Sequence, residues 1–158
     1  MEYQLPVGDA FPQRQHSILQ QLQTILSYER LTSSFYLAVG KESAGSSDSD
    51  LYSVAIKGFE EDTTHCELVR NFIGRYSANL GIETPSDSPD TVPSTQYTLA
   101  EKLNLLRETE TLLVEAYNKL CAFTIEYDYR MFDLAYRNGF ENSFHVDLLS
   151  RFVAEPMS

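Results

Sequence analysis

Apolar residues recur at three- and four-residue spacing through four separate stretches of this chain, and nowhere do they alternate with polar residues over the length of a strand. The first stretch carries Ile18, Leu22, Ile25, Leu26 and Phe35, with Pro12 suited to an opening helical turn and Gly40 to its end. The run Ala44-Gly45-Ser46-Ser47-Asp48-Ser49-Asp50 predicts a loop, after which Asp48 or Asp50 caps a second helix. That helix holds Val54, Phe59, Leu68, Val69, Phe72 and Ile73 and stops at Leu80-Gly81. Thr98, with Glu101 placed for a capping box, opens a third helix on Leu99, Leu103, Leu106, Leu113, Tyr117 and Leu120. A break near Glu126-Tyr127-Asp128 leads to a fourth, carrying Met131, Leu134, Phe140, Leu148, Leu149 and Phe152 and stopping before Pro156.

Residues 82–98 contain Pro85, Pro89 and Pro93 among Ser, Thr and Asp, which predicts a linker without regular structure. Extended at ~3.3 Å per residue it would span ~55 Å, against ~48 Å for a helix of about 32 residues, so it can cross the length of a bundle. The expected fold class is all-α: one four-helix bundle domain over residues 1–158, two antiparallel hairpins joined by a long crossover, which is the connectivity of ferritin-like bundles. No internal repeat with a period of 20 to 50 residues is apparent.

Ionisable residues interrupt the apolar rows. The row 18, 22, 25, 29 puts Glu29 on the buried face of the first helix, and the row through 106, 110 and 113 does the same for Glu110 in the third. In the second helix the row 54, 58, 61, 65, 68, 72 contains Glu61 and His65, with Asp62 beside it; in the fourth, the row 134, 138, 141, 145, 148, 152 contains Glu141 and His145. Counted from the loop near residue 44 and the turn near residue 127, these positions lie at similar depth, with offsets of up to about six residues, or ~9 Å. One shared polar layer is therefore expected. Several carboxylates in a low-dielectric layer repel one another unless cations neutralise them. Carboxylate oxygens and imidazole nitrogens suit Fe, Mn or Zn, and Glu from two helices with a carboxylate–His pair from each of the other two is a dinuclear ligand set. Taken singly, a stripe Glu more often pairs with Lys or Arg, and a helical His is more often a hydrogen-bonded core residue. The joint pattern favours metal. Gly58, three residues before Glu61, and Gly139, two before Glu141, mark either bulges or close packing.

Composition narrows the functions. The 158 residues suit one domain of the usual ~100–200. Twelve Lys and Arg against 23 Asp and Glu give a net charge of −11, which repels phosphate backbones and anionic lipid and so argues against direct nucleic-acid or membrane binding. No apolar run approaches the ~18–20 residues of a membrane span, and the first residues lack a basic segment followed by an apolar run, so the chain reads as a soluble cytoplasmic protein. Cys66 and Cys121 are too few for a disulfide framework and too far apart for a CxxC site; buried thiols are expected.

Thr32-Ser33-Ser34-Phe35-Tyr36 after Glu29, Glu61-Asp62-Thr63-Thr64-His65-Cys66-Glu67-Leu68, Glu108-Thr109-Glu110 with Leu120-Cys121, and Phe132-Asp133-Leu134-Ala135-Tyr136-Arg137 running on to His145 together resemble the ferritin-like superfamily, most closely the Dps-like miniferritins. The resemblance implies a carboxylate three residues before each ligand histidine. Asp62 meets that rule with His65, whereas Asn142 stands three before His145, with Glu141 as the substitute. Aligning Thr-Ser-Ser literally would put Arg30 at the ligand position instead of Glu29. It further implies a di-iron site, Mn or Zn being alternatives, held by Glu29, Glu61, Asp62, His65, Glu110, Glu141 and His145, with Tyr36 and Tyr117 nearby. The implied activity is ferroxidase, with storage of the ferric product in a homo-oligomer or protection from oxidative stress. Two other readings stay open: a di-metal oxidase acting on an organic substrate, which needs an apolar pocket beside the metals, and a metal-free helical interaction module whose site is degenerate, which Asn142 and Arg30 would favour.

Overall fold

The computed structural model describes residues 10–46, 48–84 and 96–153. They form four helices, α1 (Ala10–Ser43), α2 (Ser49–Leu80), α3 (Leu99–Thr124) and α4 (Tyr129–Leu149), packed as a four-helix bundle, with no strand among the described residues. Local chemistry sets the boundaries. The Asp48 carboxylate accepts from the Leu51 N–H and starts α2, and Gly81, at φ 68°, ends it in the left-handed region open to glycine. Thr98 and Glu101 complete the capping box of α3, and Asp128 caps α4 through the Met131 N–H while its second oxygen accepts from the Tyr76 hydroxyl.

α1 packs on α2, α3 on α4 and α1 on α3; the α2–α4 contact is the sparsest of the four. The apolar core is split in two. One cluster joins Ile18, Leu22 and Ile25 to Val69, Ile73, Leu113, Leu120, Met131 and Ala135; the other joins Phe35, Tyr36 and Val39 to Leu51, Ala55, Leu103, Leu106 and Leu149. Each hairpin is thus antiparallel. α2 ends beside the first cluster and α3 begins beside the second, so the segment between them starts and finishes at opposite ends of the bundle. Residues 82–84 carry no regular element, and the three prolines of the expected linker lie outside the described residues.

Several details differ from the sequence expectation. α1 continues past Gly40 to Ser43, because a glycine there fits against Ile56 and Ala55 of α2 without ending the helix. α4 stops at Leu149 and not beyond Phe152; Phe152 and Val153 donate their N–H groups back to the Leu149 carbonyl in a closing turn. Leu68 and Phe140 face outward, 40% and 59% exposed, since the buried rows of α2 and α4 run one residue out of phase with the expected ones. Cys66 is buried as expected, but Cys121 is only half-buried.

Candidate metal centre

Between the two apolar clusters lies one polar layer contributed by all four helices: Glu29 and Thr32 from α1, Asp62 and His65 from α2, Glu110 from α3, and Asn138, Asn142 and His145 from α4, all buried. His65 Nδ1 is 3.0 Å from Glu29 Oε1 and 3.5 Å from Asp62 Oδ1. His145 Nδ1 is 2.9 Å from Glu110 Oε2 and 3.3 Å from the same Asp62 Oδ1. Two groups of potential ligands result, Glu29–Asp62–His65 and Asp62–Glu110–His145, each with its ligand atoms within 4.8 Å of one another, and Asp62 belongs to both. Its other oxygen accepts a 2.7 Å bond from the Thr32 hydroxyl, leaving Oδ1 between the two imidazoles.

Glu61 and Glu141 do not face the centre. They sit at the α2–α4 rim with side chains 27% and 48% exposed, correcting the expectation that both line the buried face. His65 is reached equally well from 61 and 62, being four and three residues away, and the bundle turns the 62 side inward along with Leu51, Ala55, Val69 and Ile73. In α4 the same choice buries Asn142 with Met131, Ala135 and Leu149. The rim carboxylates cross over: Glu61 Oε2 lies 2.8 Å from His145 Nε2, and Glu141 Oε2 lies 2.5 Å from His65 Nε2. Each imidazole is thus held from outside by the opposite helix while Nδ1 points inward, the carboxylate–histidine arrangement that orients metal ligands. At the disputed α1 position Glu29 is fully buried and Arg30 only half-buried, so the carboxylate occupies the layer.

The arrangement is quasi-two-fold. Exchanging Glu29 with Glu110, His65 with His145, Glu61 with Glu141 and Tyr36 with Tyr117 carries each histidine contact onto its counterpart, and the Tyr117 ring lies edge-on to His65 as Tyr36 does to His145. The paired residues are 80 or 81 positions apart, so Glu61-Asp62-x-x-His65 corresponds to Glu141-Asn142-x-x-His145 and Glu29…Tyr36 to Glu110…Tyr117. A period of half the chain lies far above the repeat lengths of solenoids, and it shows in the sequence only when the two halves are set side by side. Gly58 and Gly139 prove to be close-packing positions. A Cβ on Gly58 would lie 2.5 Å from the Tyr36 ring, and one on Gly139 3.1 Å from Tyr117 Cβ.

Electrostatics follow from three carboxylates and two imidazoles sharing a dry layer. Burial, then the Asp62 charge, pushes Glu29 up to about 7. Glu110 is raised well above the usual carboxylate range, also by burial and then Asp62. Burial would raise Asp62 too, but the polar neighbours His145 and Glu110 and the charges of both imidazoles bring it below its ordinary value. Burial opposes charge on the histidines; the Glu29 hydrogen bond and charge nevertheless lift His65 to about 9, and Asp62 and Glu110 lift His145 to about 11. Without a cation, protons balance this layer. Burial also pushes the Cys66 thiol up to about 12, which leaves it a poor nucleophile.

Four oxygens that face this layer have no hydrogen-bond partner: Glu29 Oε2, Asp62 Oδ1, Glu110 Oε1 and Asn142 Oδ1. Buried polar atoms are rarely left so, and a carboxylate oxygen without a donor is an acceptor for a cation. Oxygen and imidazole donors at these separations could hold metal ions. A cleft of about 350 Å³ opens beside the layer between α2 and α4, reaching His65 and Glu141 and lined also by Leu68, Leu134, Asp133, Arg137 and Asn138. No protein-family model matches the chain, and no curated protein is found to be similar to it. No helix among the described residues is long and apolar enough to cross a membrane.

Proposed function

We propose that this protein is a ferritin-like metal-binding protein that takes up Fe(II) and oxidises it, in iron storage or in protection against oxidative stress. The observation that carries the reading is the pair of buried ligand groups sharing Asp62, with an unpartnered oxygen on each of their three carboxylates. Glu29, Asp62 and His65 would hold one ion, and Asp62, Glu110 and His145 the other. Bound Fe(II) would supply the electrons that reduce dioxygen or peroxide and would become Fe(III). The chain's part is to present Nδ1 of each imidazole inward, to hold Nε2 through Glu61 and Glu141, and to exclude water with the apolar clusters on either side. Two antiparallel hairpins whose connection starts and finishes at opposite bundle ends agree with ferritin-like connectivity.

Oxidation of an organic substrate is the weaker reading, because the adjoining cleft is lined by charged and amide side chains as well as two leucines and is not an apolar pocket. The proposal includes a homo-oligomer. Tyr136, Phe140 and Phe144 stand more than half exposed at four-residue spacing on α4, roughly 350 Å² of aromatic surface at ~200 Å² per ring, on which a second copy would pack.

The test is aerobic addition of Fe(II) to purified protein, with elemental analysis of the re-isolated protein, ferric absorbance and light scattering. About two iron atoms per chain or more, oxidised faster than in buffer, in an assembly larger than one chain, are expected. Protein that retains no metal overturns the reading in favour of a metal-free helical module.

A further inference from the structure

The quasi-two-fold relation of the layer is broken at a few positions, and all of them distinguish the same two halves. Asp62 has Asn142 as its counterpart, so three buried carboxylates converge where strict symmetry would give four. Thr32, which donates to Asp62, has Leu113 as its counterpart. Glu29 is heavily bonded: its Oε1 accepts from the Tyr117 hydroxyl at 2.8 Å and from Asn142 Nδ2 at 3.0 Å, besides lying 3.0 Å from His65 Nδ1. Tyr117 is fixed in turn by Asn138 Nδ2 at 3.1 Å. Glu110 has none of this. Its Oε2 lies 2.9 Å from His145 Nδ1, its Oε1 has no hydrogen-bond partner, and the buried Tyr36 hydroxyl that corresponds to Tyr117 is also without one.

We infer that the centre loads its two divalent cations in order, the first and tighter one between Asp62, Glu110 and His145, the second and weaker one between Glu29, Asp62 and His65. This rests on the metal-binding reading above and adds the ranking of its halves. Glu29 and Glu110 each leave one oxygen unpartnered, but the other oxygen has one neighbouring donor in Glu110 and three in Glu29, so a cation displaces fewest donors in the Glu110 half. In the Glu29 half it competes with the Tyr117 and Asn142 donors for one oxygen, and it arrives after Asp62 is already shared. It also meets an uncharged amide where a fourth carboxylate would offset the second ion's charge. Asn142 is therefore the residue that sets the difference, by supplying a donor to Glu29 and withholding a negative charge.

The experiment uses Mn²⁺ alone as probe, added to metal-free protein and followed by calorimetry and by the paramagnetic resonance signal of free Mn²⁺, with circular dichroism confirming that each variant is folded. The wild type is expected to bind one Mn²⁺ per chain at least about tenfold more tightly than the second. Glu29→Gln keeps the first event and loses the second, and Glu110→Gln loses the first. Asn142→Asp tightens the second event until the two differ by no more than about threefold. Two equal events in the wild type overturn the ranking, as does loss of the tight event in Glu29→Gln or an unmoved second event in Asn142→Asp. The wild-type and Asn142→Asp titrations decide the matter even where a glutamine variant does not fold. Absence of any Mn²⁺ uptake defeats the metal-binding reading itself, an outcome distinct from uptake without order.

Discussion

Raising the pH from 6.5 to 9 should destabilise the metal-free protein and should make added metal stabilise it more. His65 is buried, and although burial disfavours its charge, the Glu29 hydrogen bond and charge, the Asp62 charge and the Glu141 hydrogen bond carry its pKa from 6.5 to about 9. A group whose folded pKa lies above its unfolded one contributes stability that is complete below the unfolded value and is lost as pH rises through the folded value. The window is thus 6.5 to about 9. At 1.36 kcal/mol per pKa unit the loss from His65 is ~3 kcal/mol, or roughly 6–12 °C in Tm at about 2–4 °C per kcal/mol for a chain of this size. His145, lifted to about 11, adds a slope of the same sign across the same window. The assay is thermal unfolding of chelator-treated protein between pH 6.5 and 9, repeated for His65→Gln, which should remove about half of the slope. Because a ligating imidazole must give up its proton, the Tm gain from Mn²⁺ should grow over the same range. A metal-free Tm that is flat or rises with pH, or an unchanged slope in His65→Gln, would refute the view that two buried imidazolium ions stand in for cations.

Two further outcomes test the supports of the centre. Glu61→Gln and Glu141→Gln should each weaken Mn²⁺ binding by about 10–100-fold, as loss of a carboxylate behind a ligand histidine does. Their partly exposed side chains should make the fall in unfolding midpoint smaller than that of His65→Gln, and unaltered affinity in a competition titration would show that the crossed contacts do not orient the imidazoles. Gly58→Ala places a Cβ 2.5 Å from the buried Tyr36 ring. Overpacking at the upper end of its usual range, ~2–3 kcal/mol, then opposes a helical gain of ~1 kcal/mol, for a net loss of about 1–2 kcal/mol in urea unfolding. Gly139→Ala, with 3.1 Å available, should cost less, and equal or improved stability in Gly58→Ala would contradict the packing described.

Much of this molecule was legible without coordinates, because local rules act over a few residues. Asp48, the Thr98–Glu101 box and Gly81 mark helix ends through hydrogen bonds that their own neighbours complete, and the rows holding Glu29 and Glu110 have a single strongly apolar side that fixes which way they face. In α2 and α4 two adjacent rows are comparably apolar, so periodicity could not choose between Glu61 and Asp62 or between Glu141 and Asn142. Only packing against α1 and α3 selects the buried one, and the rejected carboxylate becomes the rim partner of the opposite histidine. Resolving which of Leu68, Val69, Phe140 and Leu149 meets another helix likewise requires the other helix to be present. The chain by itself determined four helices, the caps of α2 and the capping box of α3, and a polar layer at a common depth. Tertiary structure decided the phase of two helices, the sharing of Asp62 and the unequal bonding of Glu29 and Glu110, since these depend on atoms brought together from four helices distant in sequence.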